Sequence, residues 1–387
     1  MDLAAWVRED FGIPLIGVRP TGLGADARAA TFVGETGDGS RYAVKASIVP
    51  QLGLVVADFL AAQGVQGIPP PLRTRDGALI AARSGQQLSV APWVGQRRAL
   101  DGGMDQAQWR GLGRLLAQVH TTDAHEPVLA VLPTEGPDPG RLVERARAMP
   151  ERLAQCSVDE VLLQELRDLW GANRARVLAV SDRAESLATS PAWATTRPVV
   201  CHADPHAGNI VLGPDGEVWL LDWDDAVLAP READLMFALG GVLAFAPITA
   251  DEQRAFFEGY GATDWDTDLM GYFQCVRAID DLLSWSEEVL ASAQQATAQG
   301  REALDIAHGI LSPAGLVAHA LGEAPSPLTP RRGGRLPQEA ATRHTTRSSL
   351  DRRRPCAATP ATTRRGSSGR STRRSRRGDP WPGPRRR

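Results

Sequence analysis

Apolar positions along this chain switch between two spacings, and the switches divide it. Up to about residue 92, short alternating or continuous apolar runs predict strands at 15–19, 28–33, 41–47, 79–82 and 87–90. Helices over 2–11 and 52–63 interrupt them. Ile68-Pro69-Pro70-Pro71-Leu72 reads as extended, because each proline fixes its own φ and restricts the residue before it. From Asp105 the spacing lengthens. Leu112, Leu115, Leu116 and Val119 form the stripe of a core-facing helix, with His120 and His125 at its end capping it or facing solvent. A second helix is expected over 158–187, burying Val161, Leu162, Leu166, Leu169 and Trp170. Short apolar runs then return at 199–201, 210–212 and 218–221. The uncharged apolar run 235–250 follows; it is shorter than the ~20 residues of a membrane span and reads as a core helix. Helices over 251–260, 268–294 and 301–311 complete the pattern, the second with Leu269, Phe273, Val276, Ile279 and Leu283 inward.

The second set of strands carries polar residues at telling places. Asp215-Gly216 between two apolar runs predicts a two-residue hairpin turn, which sets Gly213 opposite Val218, Val211 opposite Leu220 and Asn209 opposite Asp222. Two oxygen-bearing side chains then meet at the open end of the hairpin, with Asp204 on the loop before it. Hard oxygen donors in this arrangement suit Mg²⁺ bound to phosphate.

The order His202-x-Asp204-x-x-x-x-Asn209, followed by Asp222 at the end of the next strand, resembles the protein-kinase catalytic pattern. CHADPHAGNIVL and then LDWDDAVLAPREADLMF resemble the aminoglycoside phosphotransferase and choline kinase superfamily, and within it the spectinomycin (aminocyclitol) phosphotransferases. The resemblance covers about residues 16–311. It implies an α+β, protein-kinase-like two-lobed fold and ATP-dependent phosphorylation of a small-molecule hydroxyl. It casts Asp204 as acceptor of the hydroxyl proton, Asn209 and Asp222 as holders of the metal, and His202 and Asp234 as supports of the catalytic loop. Trp223-Asp224-Asp225 stands where a protein kinase has Phe-Gly, so a flipping activation segment is not expected and the site should be formed constitutively. His206 replaces the lysine of Ser/Thr protein kinases, which speaks against a protein substrate.

Lys45 is the only lysine in the chain, set in the strand Tyr42-Ala43-Val44-Lys45 where kinases carry their phosphate-binding lysine. A compact ammonium fits between phosphate oxygens where a planar guanidinium does not. Its usual helix-borne acidic partner is not evident; Asp58 lies too late in the expected helix. Gly22 and Gly24 sit in a loop between two strands that could cover the nucleotide phosphates. By position, Ala91-Pro92-Trp93 resembles the hinge that reads adenine. Pro92 has no N–H, so the donor is expected from Trp93 and the acceptor from Ala91. Asp225, and Asp280 with Ser284 and Glu287 on one helix face, could receive a substrate ammonium, although a solvated face is the plainer reading for the last three.

Charge adds a boundary. Residues 325–387 carry 18 arginines against Glu339, Asp351 and Asp379, a charge of +15, so the preceding 324 residues hold −18 of the net −3. The expected organisation is a nucleotide-binding lobe over 1–92, a catalytic and substrate-binding lobe over 93–324, and a basic tail over 325–387 too poor in large apolar residues to fold. An acidic body favours a cationic aminocyclitol as substrate; nucleic acid is not expected to bind it, and the tail leaves that question open. Four scattered cysteines without a CxxC, and no signal-like opening, fit a cytoplasmic protein without a membrane partner. Two rivals remain: a metabolite kinase acting on choline, homoserine or a sugar, and a non-catalytic nucleotide- or nucleic-acid-binding protein.

Overall fold

Asp2 opens the first helix by accepting the Ala5 N–H at 3.0 Å. The computed structural model describes residues 2–21, 29–156, 161–261, 265–292 and 298–324. Gly22, Gly24 and the arginine-rich tail lie outside the described residues. Helix α1 (Leu3–Phe11) precedes strands β1 (Leu15–Pro20), β2 (Ala29–Thr36) and β3 (Arg41–Ser47). Helix α2 (Gly53–Ala62) follows, then β4 (Ala81–Arg83) and β5 (Gln86–Pro92). The five strands form one antiparallel sheet in the order β1-β2-β3-β5-β4. Trp6, Val7 and Phe11 of α1 pack on Val44, Leu88 and Val90 of the sheet. Each large side chain so buried contributes about 1.5–3 kcal/mol.

A second core lies in the helical part. Its elements are β6 (Arg97–Arg98), α3 (Gln106–His120), α4 (Gly140–Ala154), α5 (Val161–Ala188), α6 (Ala192–Thr195) and β7 (Val199–Cys201). Then come β8 (Ile210–Leu212), β9 (Val218–Leu220), β10 (Val227–Ala229) and α7 (Glu232–Leu239). Helices α8 (Ala250–Tyr260), α9 (Thr267–Ser292), α10 (Ala298–Leu311) and α11 (Leu316–Leu321) finish it. Strands β6, β8 and β9 form a small sheet, and β10 pairs with β7. A small antiparallel lobe beside a larger helical one is the two-lobed α+β fold expected from the sequence.

Several expectations change. The run 235–250 is not one helix: α7 stops at Leu239, where Gly240 and Gly241 turn the chain with φ of 91° and 94°. Residues 298–321 are long and apolar enough to cross a membrane by composition, but they form two helices whose apolar face is buried, with Leu304, Ile310 and Leu316 in the core. Val161 is 69% exposed, at the outer edge of the α5 stripe. Helices α3 and α8 approach closely because Gly113 and Gly259 lack side chains; a Cβ on Gly113 would lie 2.1 Å from the Phe256 carbonyl oxygen. That contact seats His120, at the end of α3, in the interior rather than in solvent.

Candidate active site

The β8–β9 hairpin is one residue out from the expected register. Ile210 faces Leu220, Val211 faces Trp219 and Leu212 faces Val218. The turn holds three residues, closed by the Gly213 N–H on the Glu217 carbonyl (2.9 Å), with Gly216 at φ 87°. Asn209 therefore lies opposite Leu221, whose N–H donates to its carbonyl at 2.9 Å, and not opposite Asp222. A slip of one residue reverses the faces of a strand. Here Asp222 leaves the strand geometry altogether, with φ 62°, and this re-aims its side chain. For a non-glycine residue that conformation is uncommon and mildly strained.

Beneath the loop from His202 to Asn209 lies one buried carboxylate. Asp234 Oδ2 accepts the His202 N–H (2.9 Å) and Oδ1 accepts the Ala203 N–H (2.7 Å), which pins a residue held at φ 66° immediately before Asp204. The third partner of Asp234 is His120, Nε2 to Oδ2 at 3.0 Å, while Tyr260 Oη lies 2.7 Å from His120 Nδ1. Nε2 donates to the carboxylate, so Nδ1 is left to accept from the tyrosine hydroxyl. His120 is the residue that sequence reasoning missed; only its place at the end of an apolar stripe signalled it. His202 Nδ1 accepts the Asp204 N–H (3.2 Å), and its Nε2–H donates to the Leu221 carbonyl (2.8 Å), tying the loop to the hairpin.

Asp204 projects from this braced loop. Asn209 Nδ2 donates to its Oδ2 and to its backbone oxygen, both at 2.9 Å. His206 Nδ1 accepts the Gly208 N–H (2.9 Å), so the proton sits on Nε2, 3.3 Å from Asp204 Oδ2. From helix α9, Arg277 Nη2 reaches Asp204 Oδ1 at 2.9 Å while its Nε lies 2.6 Å from Asp281. Burial pushes the Asp204 carboxyl up, but the His206 hydrogen bond and the Arg277 charge outweigh it and hold the group below the ordinary carboxylate range. Asp204 is thus ionised at neutral pH.

Across the cleft, Lys45 Nζ lies 2.8 Å from Asp222 Oδ1 and 2.6 Å from Asp224 Oδ2. These two carboxylates are its acidic partners; Asp58 instead pairs with Arg73. Desolvation lowers the Lys45 pKa, yet the two aspartates more than offset it and raise the group above its ordinary value. Helix α2 abuts the Trp223 backbone here, where a Cβ on Gly53 would lie 2.0 Å from the Trp223 oxygen. Asp222 and Asp224 already gather round one cationic nitrogen, and Asn209 engages the loop through its amide NH2, its side-chain oxygen being the donor it can offer a cation. This hard-oxygen set fits a magnesium ion.

Among the expected substrate contacts, Asp225 sits at the cleft, its carboxyl pushed up by desolvation and then by the Asp204 charge. Asp280 is exposed on α9 and raises the pKa of Glu135, a carboxyl lifted first by its own desolvation. Glu287 does not join them. Arg145 (3.1 Å) and Arg152 (3.0 Å) both pair with it, so its charge is already spent. The hinge also differs. The Trp93 N–H donates to the Arg41 carbonyl (3.0 Å), and Ala91 faces Ala43 in the same ladder, so both expected adenine contacts are turned toward β3. The opposite edge of β5 is marked by Val90, whose carbonyl accepts the Leu72 N–H at 2.7 Å. By strand alternation the Pro92 carbonyl points to that edge too.

A family model, the phosphotransferase enzyme family (APH), matches residues 51–270. The spectinomycin phosphotransferase APH(9)-Ia, solved with ADP and spectinomycin, has a TM-score of 0.75 at 23% identity, over 83% of this chain and 97% of its own. Its AMP-bound complex gives 0.72 at 22%, over 82% and 97%. A putative aminoglycoside phosphotransferase from Ralstonia eutropha gives 0.57 at 17%, over 84% and 98%. At such identities the likeness establishes the fold. With more than half of its length matched by the family model and the fold shared over 83% of it, this chain belongs to the phosphotransferase enzyme family.

Proposed function

We propose that the protein transfers the γ-phosphoryl group of ATP to a hydroxyl of a cationic aminocyclitol, spectinomycin being the first substrate to test, with inactivation of the antibiotic as the outcome. The observation that carries this reading is the pairing at one cleft of Asp204, ionised and braced, with Lys45 gathered onto Asp222 and Asp224. Asp204 orients the acceptor hydroxyl. The hydroxyl oxygen forms the new bond to the γ-phosphorus as the bond to the departing ADP oxygen breaks, and the hydroxyl proton passes to Asp204. Lys45 leaves its aspartates to touch the phosphates. Asn209 and Asp222 would hold a magnesium ion, which would offset the charge of the phosphates. Adenine is read by the Pro92 carbonyl and the Val94 N–H. Asp225, Asp280 and Glu135 receive substrate ammonium groups. Residues 1–92 serve the nucleotide and 93–324 the acceptor.

The acidic cleft and the likeness to a spectinomycin-bound fold support the substrate class. Choline would need an aromatic cage. Trp223 is instead buried against His202, with ring centroids 4.6 Å apart, and Trp193 packs on Tyr272 at 4.9 Å. Incubation of spectinomycin with enzyme, ATP and Mg²⁺ should give a product heavier by one phosphoryl group. Turnover of another alcohol with none of spectinomycin would transfer the reading to that alcohol.

A further inference from the structure

We infer that Arg277 is a positioning residue for phosphoryl transfer, acting through the carboxylate of Asp204. The inference rests on the reading of Asp204 as proton acceptor. Among the described residues, Arg277 is the fixed cation that touches this carboxylate: Lys45 is engaged with Asp222 and Asp224, and His206 carries a single ring proton because its Nδ1 accepts from Gly208.

The guanidinium is built into its place. Asp281, one turn further along α9, is 2.6 Å from Nε, and the ring of Phe237 lies beneath with its centroid 5.3 Å from Cζ. Burying a guanidinium costs several kcal/mol unless partners hold it, so an arginine steered to one carboxylate oxygen calls for a reason. Its side chain keeps 25% of its surface exposed, which leaves it reachable from the cleft. The approach to Asp204 is a charge contact at 2.9 Å; Oδ1 accepts no aligned hydrogen bond, whereas Oδ2 is taken by Asn209. Oδ1 is buried behind the guanidinium, so Arg277 holds that side of the carboxylate and fixes its orientation between α9 and Asn209.

Two consequences follow for the reaction. The Asp204 carboxylate is held in one orientation, with Arg277 against Oδ1 and Asn209 against Oδ2, as alignment of the acceptor hydroxyl for in-line transfer requires. Arg277 also brings positive charge to the side of the hydroxyl where negative charge builds as the proton moves, and an ammonium directly beside that hydroxyl would be repelled. The preferred acceptor carries its amines toward Asp225, Asp280 and Glu135, away from the reacting oxygen.

Steady-state kinetics of Arg277→Gln and Arg277→Lys, with ATP, Mg²⁺ and the alcohol that wild type phosphorylates, test this. Arg277→Gln should lower kcat about 10²-fold with the KM for ATP nearly unchanged. Arg277→Lys should recover part of that loss, staying about tenfold below wild type in kcat, because an ammonium keeps the charge but not the fork. Wild-type kcat in Arg277→Gln, or an equal loss of kcat in Arg277→Gln and Arg277→Lys, would overturn the inference. If Arg277→Gln does not fold, Arg277→Lys decides alone, and wild-type kcat there would overturn it. A wild-type enzyme that phosphorylates no alcohol would defeat the parent reading instead.

Discussion

Lys45 is the residue at which composition and geometry meet. In a chain whose other basic residues are all arginine, the one ammonium sits 2.8 Å from Asp222 and 2.6 Å from Asp224. Because the folded-state pKa is raised, this ion pair stabilises the fold at neutral pH and is lost only as pH rises past the ordinary lysine value of 10.5. A single side-chain amine also gives a direct test. An amine-directed reagent that modifies Lys45 should abolish phosphotransfer, and ATP should protect the site. Peptide mapping showing full modification of Lys45 with activity retained would contradict its place at the phosphates. Lys45→Arg is not a conservative change here, since the planar fork demands a geometry that the two aspartates do not offer.

Individual side chains also show where the sequence was legible. Asp204, Asn209, Asp222 and Lys45 stand at spacings that local patterns reveal; the structure brings Lys45 onto Asp222 and Asn209 onto Asp204, while setting Asn209 opposite Leu221. His120 and Arg277 were not legible, because each acts through contacts between helices far apart in the chain, α3 with α7 for the first and α9 with the catalytic loop for the second. Arg277 left one faint sign: Asp281 follows it by one helical turn. Glu287 was misread for the converse reason. Its neutralising partners, Arg145 and Arg152, come from α4.

At the level of elements, strand period and helix stripe located nearly every segment, and the errors lie at turns. Asp-Gly suggested a two-residue hairpin loop, but the β8–β9 turn takes three, with Gly216 supplying the positive φ, and the register moves by one. The same shift of parity misassigned the hinge: without knowing which edge of β5 pairs with β3, the residues facing adenine cannot be told from their neighbours. The α3–α8 contact matters most to the site, since it seats His120 under Asp234. Gly113→Ala should destabilise the protein by about 1–3 kcal/mol, because its Cβ would meet the Phe256 carbonyl. Chemical denaturation can measure this. An unchanged midpoint would show that the helices can part without cost.

For the molecule as a whole, one core lies between α1 and the sheet while the other takes Val56, Leu60 and Ile68 together with the helical part, and the proposed chemistry draws on both: Lys45 from the sheet, Asp204 and Asp222 from the helical part. The division of charge is equally large in scale, with an acidic body and a basic stretch after Ala324. Each group placed at the cleft lies before Pro325. A chain ending at Ala324 should therefore keep kcat and the KM for ATP within about twofold of the full chain. Loss of most of the turnover in a folded truncation would assign the arginine-rich stretch to the enzyme.

The most direct measurement is single-turnover transfer from γ-labelled ATP to spectinomycin, with wild type and Asp204→Asn compared and the product identified by mass. Wild type should yield the monophosphorylated antibiotic, and Asp204→Asn should transfer about 10³-fold more slowly while still binding ATP. Equal rates in the two proteins would contradict the placement of Asp204 at the reacting hydroxyl.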